Sequence, residues 1–315
     1  FNYIKTLYFI EDKTIFDLNA HKANVYHPYF GSYLWAFFWA ISPTDTEYFG
    51  RLFYLFLFSY SLFFVSQIAE NKIINTLIFI FLIFIFYEYK YFSGLHEILI
   101  FSFLVLISKF FYEVLKSKDY IYIILILLFS NLFIWIKAEG IVYFLLVLFL
   151  FTLIKRISIK TKFLIFLTLT LLYFVKIIVF DMANIGLNSQ GHIYNLEYLA
   201  NLKIEVFLHK IFNISIWFVY YVLTNIFFIT FILVIIFEFL YAKKKQTELN
   251  YNKLLFFYLA YILVYIFAAY VLRDMEIIYA IRTTMDRLLM TASGFFVYPC
   301  IKKLSEYPNL LRKNK

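Results

Sequence analysis

The chain has 315 residues, of which 64% are hydrophobic and 24% aromatic, and its formal net charge is +9. Soluble domains contain about 45–50% apolar residues, and a soluble core cannot hide a much larger share, because surface area grows quickly relative to volume. The composition therefore excludes a soluble globular protein. Apolar runs of about twenty residues favour helices over a β-barrel and predict an all-α, polytopic bundle of transmembrane helices.

Residues 1–47 are predicted to form an external loop containing interfacial helices. Its centre is a polar and aromatic turn at 24–35, in which Pro28 and Gly31 break the backbone and His27 adds a titratable ring. Trp35 would be stable at the membrane interface. Because the first residue is Phe1 and no signal pattern precedes the loop, we expect the natural chain to begin further upstream.

The transmembrane domain is predicted to span residues 48–303, with an external loop at 181–217 and a cytoplasmic tail at 304–315. Residues 196–212 of that loop have the pattern of a further surface helix. About nine spans are predicted, at 48–68, 72–88, 97–115, 120–136, 140–155, 162–180, 218–241, 254–272 and 287–303.

The lysines and arginines predict the orientation of these spans. Short, densely basic connections alternate with longer loops that carry fewer positive charges, so the basic set should be cytoplasmic. All five histidines and all four tryptophans then fall on or near the external side. The sequence thus predicts a multi-pass protein of the cell (inner) membrane with its active face external. The excess of basic residues sets the orientation of the spans in the membrane, and no nucleic-acid partner is predicted.

Several polar residues lie where predicted spans meet the external side, and each has a structural as well as a functional interpretation. His27 is either part of a solvated turn or a ring that orients a phosphate or a sugar hydroxyl. Glu97 opens a helix, where a carboxylate complements the helix dipole, and the alternative is a carboxylate beside a substrate cavity. Such groups are costly at a membrane boundary unless they have a partner or a task.

The remaining candidates are two basic and acidic groups further along the chain. Lys137 and Glu139 break two apolar runs and either pair with each other or bind a lipid phosphate and a sugar. Arg282 and Arg287 precede the last span and either extend towards water or bind a phosphate through their planar guanidinium groups. We therefore predict His27, Glu97, Lys137, Glu139, Arg282 and Arg287 as substrate-binding residues.

Short motifs in one consistent order resemble those of GT-C-type glycosyltransferases, which include protein O-mannosyltransferases and the lipid A aminoarabinose transferase. Tyr29 replaces the second proline of the family's first-loop motif. The motifs are Tyr26-His-Pro-Tyr-Phe-Gly-Ser-Tyr-Leu34, Glu47-Tyr-Phe-Gly-Arg-Leu52, Ser93-Gly-Leu-His-Glu97, Lys137-Ala-Glu-Gly140 and Thr284-Met-Asp-Arg-Leu-Leu289.

The resemblance implies transfer of a sugar from a polyprenyl-phosphate-linked donor to a glycan, lipid or protein acceptor at the outer face of the bilayer. A carboxylate would deprotonate the acceptor hydroxyl, and cations would stabilise the departing phosphate. In the family the catalytic Asp usually follows the first span, so we expect it upstream of Phe1. Glu11, Asp12 and Asp17 are weaker substitutes within the chain.

No dense His/Asp motif is present, so we predict no required metal or other cofactor; a divalent metal remains compatible with the chemistry. No Gly-rich phosphate loop is present either, which argues against a nucleotide donor. A polysaccharide polymerase or ligase would share the lipid donor. A solute transporter or lipid flippase is a further alternative, although the sequence shows neither related halves nor interrupted spans.

Overall fold

The protein is described from a computed structural model. It describes residues 30–41, 43, 48–87, 96–117, 119–137, 139–182, 202–224, 228–229, 232–233, 236, 246–272 and 276–313. Every regular element in these ranges is a helix, which confirms the all-α prediction. The principal helices are α1 (Phe30–Ala40), α2 (Tyr48–Ser66), α3 (Lys72–Tyr87), α4 (Glu97–Ser117), α5 (Tyr120–Ile136), α6 (Gly140–Leu153), α7 (Ile159–Met182), α8 (Ile204–Thr224), α9 (Gln246–Val271) and α10 (Ile277–Lys313).

Helix α4 is the centre of the bundle. It packs against α2, α5, α9 and α10, and nearly all of its residues are buried. Its contact with α10 is close at Gly294, where a Cβ atom would lie 2.5 Å from the backbone oxygen of Phe101. Only a residue without a side chain lets the two backbones approach this closely. The tight α4–α10 contact positions the beginnings of both helices near each other.

Four helical segments are long and apolar enough to cross a membrane: α4, α7, α8 and the Asn250–Val271 part of α9. Helix α7 exposes large apolar side chains, including Phe163, Leu171 and Ile178, as expected of a lipid-facing helix. These features indicate that the protein associates with a membrane. Helices α2, α3, α5 and α6 are also apolar but shorter, so the count of nine spans and their orientation stay predictions.

Three helices differ clearly from the predicted boundaries. Helix α9 begins at Gln246, before the predicted span 254–272. Helix α8 begins at Ile204, so it joins part of the predicted surface helix 196–212 to the start of the predicted span 218–241, and Nζ of its Lys210 donates to the backbone oxygen of Val271, 3.3 Å away at the end of α9. Helix α10 extends on both sides of the predicted span 287–303 and continues into the predicted tail. The location of α1 relative to the membrane interface, and the domain boundaries, stay predictions.

The bundle has two distinct ends, which we name after residues of α4. At the Leu115 end, Nη1 of Arg156 donates to the backbone oxygen of Leu115, so the α6–α7 connection meets the end of α4. At the Glu97 end, α4 begins, α5 gives way to α6, and α10 is in its first turns. The predicted polar residues that the structure describes belong to the Glu97 end.

Candidate functional site

Four charged side chains meet at the Glu97 end, and we call them the charge cluster: Glu97, Lys137, Glu139 and Arg287. Nζ of Lys137 lies 3.0 Å from Oε1 of Glu97 and 2.5 Å from Oε2 of Glu139. Nη1 of Arg287 lies 3.5 Å from the same Oε1 of Glu97. The cluster thus joins the start of α4, the α5–α6 turn and the first turns of α10.

The α5–α6 turn is built by the local sequence Lys137-Ala-Glu-Gly140. The backbone of Lys137 is extended, and its N–H donates to the oxygen of Phe133 at 3.4 Å, which ends α5. The N–H of Gly140 donates to the oxygen of Lys137 at 2.9 Å, and α6 starts there with Glu139 as its N-cap. The short turn holds Lys137 and Glu139 against each other and against the beginning of α4.

The side chains of the charge cluster differ in how much of their surface is exposed. The side chain of Glu97 is 11% exposed, that of Lys137 24% and that of Arg287 40%. Arg287 is therefore the most accessible charge of the cluster, although its Nε is buried and has no hydrogen-bond partner among the described residues. A guanidinium held at one edge by a carboxylate keeps its other N–H groups for an anion.

Electrostatics keep Lys137 positively charged. Burial alone would lower the pKa of Lys137, but the carboxylates of Glu97 and Glu139 outweigh this effect, so its pKa lies above the ordinary value. With two carboxylates against one ammonium and one guanidinium, the four charges balance. The cluster is therefore neutral as a whole, and an anionic ligand that binds Arg287 would give cluster and ligand together a net negative charge.

An aromatic wall lies beside the charge cluster; it consists of Trp35, Arg51, Tyr54 and His96. The Trp35 and Tyr54 rings meet edge to face with centroids 5.9 Å apart, and the Tyr54 and His96 rings stack at 6.5 Å. The guanidinium carbon of Arg51 lies 5.0 Å from the centroid of the Trp35 ring. Because His96 directly precedes Glu97, the wall and the cluster form one continuous polar region.

Within the part of the chain that the structure describes, Nε1 of Trp35 and the hydroxyl of Tyr54 are buried in this wall and have no hydrogen-bond partner. A buried polar group without a partner costs about 1–3 kcal/mol, so native proteins seldom retain one without a use. The sequence analysis placed Trp35 at the membrane interface and gave Tyr54 no role. Only the quoted Glu47–Leu52 motif, which contains Arg51, pointed to this part of α2.

The structure separates the two predicted arginines of α10. Arg287 joins the charge cluster, whereas the guanidinium carbon of Arg282 lies 5.2 Å from the centroid of the Trp217 ring on α8. Among the described ion pairs of Glu97 there is none with Arg282. The substrate-binding role of all these residues stays a prediction, and His27, Glu11, Asp12 and Asp17 lie outside the described residues.

Across the described ranges, no group of three or more His, Cys, Asp and Glu side chains is placed to hold a metal ion. The prediction that no metal is required stays untested. Comparisons with protein-family models, with curated proteins and with solved structures found no match for this chain. The charge cluster and the aromatic wall are therefore the features that bear on the function of this protein.

Proposed function

We propose that the protein is an integral-membrane glycosyltransferase that moves a sugar from a polyprenyl-phosphate-linked donor to an acceptor hydroxyl. The observation that carries this proposal is the charge cluster, with Arg287 half exposed and Lys137 fixed beside it at one end of an apolar helical bundle. Lipid-linked phosphates have their charged group at this depth, where the apolar bundle meets water. The active end would be the outer, external face of the cell membrane.

The reaction breaks the bond between the sugar's anomeric carbon and the phosphate oxygen of the donor. The acceptor oxygen forms the new bond to that carbon, its proton passes to a carboxylate base, and the polyprenyl phosphate leaves with the electron pair. Arg287 and Lys137 supply cations for the departing phosphate. Both carboxylates of the cluster contact Lys137 in the described structure, so we assign them to holding the cations and assign the base to no described residue.

The aromatic wall supports the same proposal. A sugar presents hydroxyl groups that both donate and accept hydrogen bonds, together with C–H faces that pack on rings. Nε1 of Trp35 and the hydroxyl of Tyr54 are buried beside the cluster and have no hydrogen-bond partner among the described residues. We infer that the sugar or the acceptor hydroxyl binds against this wall, next to the phosphate.

The decisive experiment is transfer by the purified full-length protein in lipid nanodiscs. Polyprenyl phosphates carrying different labelled sugars are offered with a hydroxyl acceptor, and wild type is compared with Arg287→Gln and Lys137→Gln. We expect transfer by wild type and a loss of about 100-fold in each variant, in the range for removal of one transition-state contact. Lys160→Gln, an exposed lysine at the start of α7, is the control and should retain activity.

Absence of transfer with every donor would contradict the proposal. So would full activity in both variants of the charge cluster. If wild-type vesicles instead moved the labelled lipid across the bilayer without transferring its sugar, the protein would be a lipid transporter, and the Arg287→Gln variant would show whether the cluster serves that process.

A further inference from the structure

A second polar feature lies at the Leu115 end, far from the charge cluster. There, a groove runs between the end of α6 and the first turns of α9. Two lysines, Lys155 and Lys253, line it together with Leu115, Leu153, Leu254 and Phe257. The lining thus combines two basic side chains with several apolar ones.

The apolar wall continues towards the middle of the bundle. Phe149 of α6 and Phe257 of α9 are each 38% exposed, and their rings meet edge to face with centroids 6.0 Å apart. Phe149 lies one helical turn before Leu153, so both side chains are on the same side of α6. These two exposed aromatic rings give the groove an apolar surface of the kind that a hydrocarbon chain covers.

The charges of Lys155 and Lys253 are not neutralised within the described residues, where neither has an ion pair. Asn250 also lines the groove, and three other polar residues at this end have hydrogen-bond partners of their own. Nη1 of Arg156 donates to the backbone oxygen of Leu115, and Nζ of Lys162 donates to the backbone oxygen of Thr152 at 2.7 Å. Asp119, an acidic residue at this end, caps α5 by accepting from the N–H of Ile121 at 3.0 Å. Against the described residues, both ammonium groups are therefore available to an anion.

We propose that this groove binds an anionic phospholipid, with the headgroup phosphate between Lys155 and Lys253 and an acyl chain along Phe149 and Phe257. Both parts of the ligand are needed. An inorganic phosphate would leave the rings of Phe149 and Phe257 exposed, and a zwitterionic lipid carries no net charge to pair with the two lysines. Basic pockets between helices are a known form of headgroup site, and each lysine near an anionic surface adds to the affinity. The site joins α6 to α9 and does not depend on the proposed transferase function.

The test uses the purified full chain in a neutral detergent. Phosphatidylglycerol, phosphatidylcholine with the same acyl chains, and inorganic phosphate are titrated separately, while bound lipid is counted by native mass spectrometry and the unfolding temperature is followed. For wild type we expect retained phosphatidylglycerol and a rise in unfolding temperature. Phosphatidylcholine and inorganic phosphate should give neither.

The Lys155→Gln/Lys253→Gln variant should bind phosphatidylglycerol about tenfold or more weakly, since two lysine contacts are lost. Lys72→Gln/Lys160→Gln removes the same charge from two exposed lysines outside the groove and should bind as wild type does. Lys155→Arg/Lys253→Arg should retain binding. Equal weakening in the two Gln variants, unchanged binding in the groove variant, or equal retention of phosphatidylcholine would each overturn the proposal.

Discussion

Glu97 and Lys137 are separated by 40 residues in the sequence, and their charged atoms lie 3.0 Å apart. The contact fixes the first residue of α4 to the turn between α5 and α6. Because Arg287 reaches the same carboxylate oxygen, one acidic side chain connects three separate parts of the chain. Glu97 is thus both a structural junction and the group that orients the accessible arginine.

Replacing Glu97 with Gln removes the charged partner of Lys137 and Arg287. Loss of one partner of a buried pair costs about 3–5 kcal/mol, and we expect the lower end of this range because Lys137 retains Glu139. Thermal unfolding in detergent measures the loss. Glu113→Gln, on the same helix but near the Leu115 end, is the control; a similar loss there would show that the effect is not specific to the cluster.

The two arginines of α10 should differ in their effect on sugar transfer. Arg287→Gln removes the accessible cation beside Glu97, whereas Arg282→Gln removes a contact with the Trp217 ring. We expect Arg287→Gln to lower kcat/KM strongly and Arg282→Gln to lower it by less than about tenfold. Equal losses would place Arg282 in the substrate site, as the sequence analysis predicted.

Replacing Tyr54 with Phe should separate stability from function. The hydroxyl of Tyr54 is buried and has no hydrogen-bond partner among the described residues, so its removal should leave the free energy of unfolding unchanged or raise it by up to about 1–3 kcal/mol. Transfer activity should fall if the hydroxyl binds substrate. Tyr258→Phe is the matched control: its hydroxyl donates to the backbone oxygen of Ala292 at 2.7 Å, so this variant should lose about 0.5–1.5 kcal/mol. A destabilised Tyr54→Phe variant would show that the hydroxyl makes a stabilising hydrogen bond in the folded protein.

A methyl group at Gly31 should push α1 away from Tyr54 and His96. A Cβ there would lie 2.6 Å from Cδ2 of His96 and 2.7 Å from the hydroxyl of Tyr54. Overpacking of this kind typically costs about 1–3 kcal/mol. The unfolding temperature of Gly31→Ala should therefore fall, whereas Ala40→Ser, at the exposed end of the same helix, should have little effect. Wild-type stability in Gly31→Ala would mean that α1 does not rest on His96.

The stabilisation from Lys137 should depend on pH in one direction. Its pKa in the folded protein is raised, so its contribution is complete below the unfolded value of about 10.4 and is lost as the pH rises through the folded value. The difference in unfolding free energy between wild type and Lys137→Gln should be constant from about pH 7 to 9 and shrink above about pH 10.4. A difference that grows with alkaline pH would contradict the assigned ion pairs.

The all-helical class of the protein and most of its helices are predictable from the amino-acid sequence. Long apolar runs interrupted by Lys137 and Glu139, or opened by Glu97, mark helix boundaries, because apolar length and backbone hydrogen bonding are local properties of the chain. The start of α8 was predicted less well: residues 196–212 were assigned to a separate surface helix, and the contact of Lys210 with α9 is visible only in the folded chain.

Which polar groups meet depends on how the helices pack against one another, and this is not visible in the sequence. Arg282 and Arg287 lie on one helix with similar sequence surroundings, and the rotation of α10 against α4 brings Arg287 to Glu97 and turns Arg282 to Trp217. Likewise, only the structure shows that the hydroxyl of Tyr54 has no hydrogen-bond partner among the described residues. Helices that are apolar on every side carry no periodic pattern that fixes their rotation, so close packing of particular side chains, such as the α4–α10 contact at Gly294, sets the site.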